Sequence, residues 1–214
     1  MSWERYIRRL GAWRAFVYIA IAVAALAWVL VAHAASVGQQ APTFSGKDSH
    51  GKTVSLDQYR GKFVVLEWTN RDCPYTKKQY DSGNMQALQQ EWTGKGVVWL
   101  TVLSSAPGGQ GYLDAAGENA QLARVHAHPT AAILDPGGEI GKLYSAKTTP
   151  HMFIIDPEGK LIYAGAIDDK ATTDTADVKI AKNYVSAALT EAMAGQPVQV
   201  ASTRPYGCSV KYAE

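Results

Sequence analysis

The sequence predicts an α/β fold with a mixed central sheet flanked by helices and an N-terminal hairpin extension. Residues 63–68 and 97–103 are nearly continuous apolar runs, the pattern of strands covered on both faces. Helical stretches follow both runs, so strand and helix alternate. Further on, residues 152–155 and 161–164 flank Asp156-Pro157-Glu158-Gly159, a hairpin turn, ahead of a closing amphipathic helix.

The elements follow in order. Residues 42–55 read as a hairpin lead-in that turns at Asp48-Ser49-His50-Gly51. After the first buried strand, the spacing predicts one helix over 74–92, with Met85, Leu88 and Trp92 on one face. Residues 108–111 form a flexible glycine-rich link into a weaker helix over 113–124. A short strand over 131–134 ends at Asp135-Pro136-Gly137-Gly138. In the last helix Ala181, Tyr184, Val185, Ala188, Leu189 and Ala192 share a face, and Gly195 and Pro197 stop it. Residues 35–197 fit one domain, and 198–214 form an irregular tail.

The first 34 residues differ from the rest. Arg5, Arg8, Arg9 and Arg14 precede an apolar run over 15–32, and Ala32-His33-Ala34 supplies small residues where a signal peptidase cuts. The segment reads as a signal peptide, or as an inner-membrane anchor if retained, since its apolar run sits at the lower limit for a span. Both readings export the remainder, to the periplasm or its equivalent, and confine membrane contact to this segment. Four of the 21 basic and one of the 19 acidic residues lie before position 35. The exported part is therefore near neutral, which removes the compositional support for a membrane-attracting or nucleic-acid-binding surface, and no nucleic-acid partner is expected.

Among 214 residues there are two cysteines, Cys73 and Cys208. They cannot build a four-cysteine zinc site, but an oxidising compartment permits one disulfide. Cys73 falls between a buried strand and a helix, with Pro74 suited to the first helical position. There the free amides and the positive helix end favour a thiolate, the attacking form of cysteine. Arg71 adds positive charge and Asp72 opposes it. Thr149-Pro150 stands at a strand entrance, where an X-Pro bond is either cis or trans. A cis bond would put the Thr149 backbone beside the Cys73 sulfur, flanked by His151.

Cys208 has two readings. As a resolving thiol it swings in from the tail and attacks a mixed disulfide or sulfenic acid on Cys73. As a staple it closes a long loop, stabilising by about 4–5 kcal/mol in the chain-entropy model. Glu67, a charge inside an apolar strand, is either a proton shuttle for the thiol or, the reading preferred here, a carboxylate paired with a lysine at the sheet end. Tyr75 is expected to pack beside the sulfur. His126-Ala127-His128 has no third ligand in view and is expected to be a loop, so no metal or other cofactor is expected.

The run Trp68-Thr69-Asn70-Arg71-Asp72-Cys73-Pro74-Tyr75, followed much later by Thr149-Pro150-His151 before a hairpin, resembles the thioredoxin-like redoxin family. The branch is that of alkyl-hydroperoxide-reductase and thiol-specific-antioxidant domains. The tail Pro205-Tyr206-Gly207-Cys208-Ser209-Val210-Lys211-Tyr212 resembles some of its exported members. The resemblance implies a thioredoxin fold, a nucleophilic Cys73 and a cis Pro150. The sequence departs from the family at Thr76, where thioredoxins carry their second cysteine. Asn70 stands where related redoxins carry an earlier cysteine. Peroxiredoxins have Thr or Ser at the position of Asn70 and Pro at that of Leu66, so the peroxidase signature is incomplete.

The expected function is thus exported thiol-disulfide exchange, or peroxide reduction. Cys73 attacks, Thr149 and Pro150 shape the site, Cys208 resolves, and Glu67, Arg71, Tyr75 and His151 support. Its partner is a thiol or disulfide protein acting as electron donor or substrate, with peroxide as the other candidate substrate. The rival readings are a non-catalytic binding module with a structural Cys73–Cys208 disulfide and, third, copper delivery.

Overall fold

The computed structural model describes residues 34–213. The leader or anchor expected over 1–34 lies almost wholly outside the described residues. The described chain forms a seven-stranded sheet in the order β2-β1-β5-β4-β3-β7-β8. β3 (Val64–Trp68) and β4 (Val98–Leu103) run parallel at the centre, and every residue in both is buried. β5 (Ala131–Leu134) extends the parallel part. Antiparallel strands close both edges: the hairpin of β1 (Ser45–Asp48) and β2 (Thr53–Ser55) on one side, and that of β7 (His151–Ile155) and β8 (Leu161–Gly165) on the other. The hydrophobic run in β3 is continuous because alternate residues serve two cores. Leu66 and Trp68 pack with Tyr144 and Phe153 on one face. Val65 packs with Trp99, Met85, Trp92 and Leu189 on the other.

The single helix expected over 74–92 is two: α1 (Pro74–Asp81) and α2 (Asn84–Gly94). Gly83 breaks them apart in the left-handed region (φ 77°), which a glycine takes without steric cost. α3 (Ala115–Arg124) starts later than expected because Asp114 caps it, accepting from the Gly117 amide. α4 (Glu139–Leu143) was not anticipated; the Asp135 carboxylate accepts from the Ile140 and Gly141 amides at its start. α5 (Tyr184–Met193) begins after Ala181, at the Asn183 cap.

The tail is not loose. Thr203 bonds to Ala164 of β8, and its hydroxyl accepts from the Ala166 amide. The Val210 amide reaches Lys147 O, the Ala106 amide reaches Lys211 O, and the Tyr212 hydroxyl reaches Ala146 O at 2.8 Å. Between these anchors, β9 (Cys208–Ser209) pairs antiparallel with β6 (Thr148–Thr149). The segment expected to swing in is thus seated along the end of the sheet.

Candidate active site

Sheet register brings the site together. Trp68, the last residue of β3, pairs with His151, the first of β7. The loop leaving β3 and the loop entering β7 therefore meet at one sheet end, the place where parallel strands leave a crevice. Cys73 is the N-cap of α1 and Pro74 its first residue, as the sequence predicts. The Thr149–Pro150 bond is cis. The Cys73 thiol, fully buried, donates to Thr149 O at 2.8 Å. Cys208 stands directly opposite Thr149 in the β6–β9 pair, within hydrogen-bonding reach of the Cys73 sulfur, and both thiols are free.

The two sulfurs are unequal. Burial pushes the Cys73 thiol up, but donors around the sulfur outweigh burial and lower it overall. These are the Cys208 thiol, the backbone amides of Thr76 and Cys208, and the Thr149 hydroxyl, a buried group that makes no hydrogen bond in the thiol form. No cap bond to the sulfur closes in the thiol form, so the Thr76 amide acts on the charged sulfur. Cys208 moves the other way, to about 11, through burial and then the hydrogen bond and charge of Cys73. Of the two, Cys73 is the one whose ionisation the surroundings favour.

Asn70, not expected to matter, fixes the approach to Cys73. Its side-chain oxygen accepts from the Asp72 amide at 2.8 Å, and its nitrogen donates to Gln110 O at 2.9 Å. A β-carbon on Gly111 would sit 1.9 Å from that oxygen, so the segment expected as a flexible link is packed against Asn70. An Asn ahead of a helix start is the signature of such a side-chain turn, and that signal was available.

The supporting residues fall into two groups. Glu67 has no lysine partner, contrary to the preferred expectation. It is fully buried and accepts from Tyr80 (2.9 Å), Trp99 (2.8 Å) and Gln89 (3.2 Å). Burial outweighs these bonds and raises its carboxyl to about 7. Tyr75 packs edge-on to Tyr206 of the tail, 5.7 Å between ring centres. Arg71 and His151 do not join the sulfur. Arg71 is half exposed and pairs with Asp72 at 3.3 Å, and the groups that chiefly shift Cys73 are others. His151 is buried against Phe153, and its Nδ1 accepts from the Lys147 amide at 3.3 Å. His126-Ala127-His128 lies in a loop as expected, and among the described residues no cluster of three metal-ligating side chains occurs.

A single cysteine capping a helix start, a cis-proline loop beside it and a mixed sheet beneath define a thioredoxin-like redoxin. Residues 37–164 match the AhpC/TSA family, and the chain belongs to it. No curated protein sequence matches the chain. Among solved structures it is similar to an uncharacterized conserved protein from Geobacillus kaustophilus (23% identity, 83% of this chain and 93% of that one, TM-score 0.68). A hypothetical protein from Sinorhizobium meliloti 1021 is similar over 85% of this chain and 97% of its own (19% identity, TM-score 0.68). These two show the fold. A proposed thiol:disulfide interchange protein, DsbE, from Chlorobium tepidum is 26% identical over 61% of this chain and 85% of its own, with TM-score 0.50.

Proposed function

We propose that the chain is an exported thiol-disulfide oxidoreductase whose redox couple is Cys73 and Cys208. The observation that carries this reading is the thiol pair itself. A lowered Cys73 thiol and a raised Cys208 thiol meet at the Thr149 backbone, in a fold whose family performs thiol chemistry. Cys73 supplies the thiolate, Cys208 the second sulfur, and Thr149 and Pro150 hold the two together. Forming the Cys73–Cys208 bond passes two electrons to a partner disulfide, which leaves as a dithiol, and breaking it takes two electrons from a partner dithiol, which leaves as a disulfide. Export through residues 1–34, with or without cleavage, supplies the oxidising compartment in which such a couple cycles.

A second reading treats Cys73–Cys208 as a structural staple, favoured by the number of anchors that already hold the tail. Redox titration of the full-length chain against glutathione separates the two. A couple that cycles has a potential comparable to the glutathione pool, whereas a staple lies below about −300 mV. A peroxidase would consume hydrogen peroxide in a Cys73-dependent manner, which the same preparation tests directly.

A further inference from the structure

Partner access to the couple is set by the tail. Cys73 has no exposed surface, although the next residue, Pro74, is exposed. What covers the sulfur is β9 with the residues leading into it. Gly207 lies so close to the cis-proline loop that a β-carbon there would sit 2.1 Å from Thr149 O. Tyr206 on one side is tied to Asp168 at 2.5 Å and packed on Tyr75. On the other side Val210 is tied to Lys147. Cys208, by contrast, is only half-buried. A macromolecule approaching this sheet end meets Cys208 first.

We infer that Cys208, and not Cys73, is the sulfur that exchanges with the partner, and that the partner is a protein dithiol. The inference rests on the redox couple proposed above and reverses the order of attack expected from the sequence. In the oxidised chain a partner thiolate attacks Cys208 Sγ. A partner–Cys208 bond forms, the Cys73–Cys208 bond breaks, and the electron pair leaves on Cys73. That leaving group is stabilised where it stands by the Thr76 and Cys208 amides and the Thr149 hydroxyl, and the more stabilised thiolate leaves faster. The partner's second thiolate then attacks its own sulfur in the mixed disulfide and releases Cys208, which takes up a proton. The partner dithiol is oxidised to a disulfide and the chain is reduced by two electrons. The reverse entry, attack on a partner disulfide, would need either a buried Cys73 to reach outward or Cys208 to ionise against its raised thiol.

The test uses the full-length chain oxidised with diamide and a short synthetic peptide carrying one cysteine, which halts the reaction at the mixed disulfide. Acid quenching, alkylation and peptide mapping locate the adduct. The expected result is about tenfold or more adduct on Cys208 over Cys73. A parallel measurement uses reduced Cys208→Ala, whose only thiol is Cys73. Iodoacetamide should modify it at least about tenfold faster than a maleimide bearing a polyethylene-glycol chain, relative to the ratio for the unfolded chain. Adding Gly207→Ala should abolish that difference by lifting β9; if this variant does not fold, the Cys208→Ala ratio decides alone. Adduct mainly on Cys73, or a Cys73 equally open to both reagents, overturns the inference and leaves the couple intact. Failure of diamide to form the Cys73–Cys208 bond overturns the couple, and the inference with it.

Discussion

Cys208 faces Thr149 across a two-residue antiparallel pair, and the carbonyl of that same Thr149 accepts the Cys73 thiol at 2.8 Å. One backbone position thus organises both sulfurs. Cys208 contributes a side-chain donor and a backbone donor to the Cys73 sulfur. Cys208→Ala removes the first and keeps the second. The Cys73 thiol should therefore rise, because burial, which opposes ionisation, loses part of its compensation. Ultraviolet titration of the thiolate checks this. An unchanged or lower Cys73 value would show that the Cys208 thiol does not stabilise the charge.

Glu67 makes stability depend on pH. Its folded carboxyl keeps its proton to about 7, whereas the unfolded one releases it near the ordinary value of 4.5. Between these values the folded state binds more protons than the unfolded state, so stability falls as pH rises through that window. The loss amounts to a few kcal/mol, on the order of 3. Glu67→Gln removes the titrating group, so urea denaturation from pH 4.5 to 7 should lose this downward component. A variant with the wild-type slope would place the titration elsewhere.

Tyr206 couples the tail to a buried polar cluster. Its hydroxyl donates to Asp168, which also accepts from Gln79 at 2.7 Å and lies 3.9 Å from the buried Lys78 ammonium. Tyr206→Phe leaves a buried carboxylate short of one donor, at a cost of about 1–3 kcal/mol. The expected outcome is a lower Tm together with faster alkylation of Cys73, because the anchor lies two residues before Cys208. Loss of Tm without any change in Cys73 alkylation would mean that Tyr206 stabilises the domain but not the cover.

Asn70 is predicted to position Cys73 through the loop. Asn70→Ala breaks the turn to Asp72 and the bond to Gln110, freeing the segment before α1. The Cys73 thiol should shift toward its ordinary value as donors around the sulfur lose alignment. Asn70→Asp, which can still accept from the Asp72 amide, should restore part of the effect, whereas a purely structural role would move stability alone.

The legible parts of the chain were those written in local pattern. Two buried apolar runs announced β3 and β4, and the Cys73-Pro74 step announced the cap, because strand burial and helix starts depend on neighbours in sequence. The break at Gly83 was missed because a lone glycine in an apolar periodicity reads as tolerated. The docking of residues 203–212 was illegible for a different reason: its partners, from Ala106 to Asp168, are distant in sequence, and two-residue strands such as β6 and β9 leave no periodicity. Glu67 was visible as an anomaly, but its partners Tyr80, Gln89 and Trp99 come from α1, α2 and β4, which only the folded register assembles.

His151 supplies the counterweight to Glu67. Burial lowers its imidazole to about 4, with Lys147 adding to the effect. As pH falls below the ordinary value of 6.5, the unfolded histidine takes up a proton that the folded one refuses, so stability is lost between 6.5 and about 4. This slope has the opposite sign to that of Glu67 over their shared range. The two groups face different cores, because Glu67 lies on the α1–α2 side and His151 stacks on Phe153, so their effects should add. Glu118 of α3, buried and raised to about 8 by burial and then by the Glu67 charge, adds a fall of the same sign as Glu67. Glu67→Gln should therefore flatten the fall in stability from pH 4.5 to 6.5, because the Glu118 and His151 slopes oppose each other, and His151→Phe should steepen it. The double variant should lose both components and keep the fall that Glu118 supplies, lying between the two single variants. Urea midpoints for the four proteins across this interval measure it, and two single variants with parallel slopes would refute the assignment of both groups.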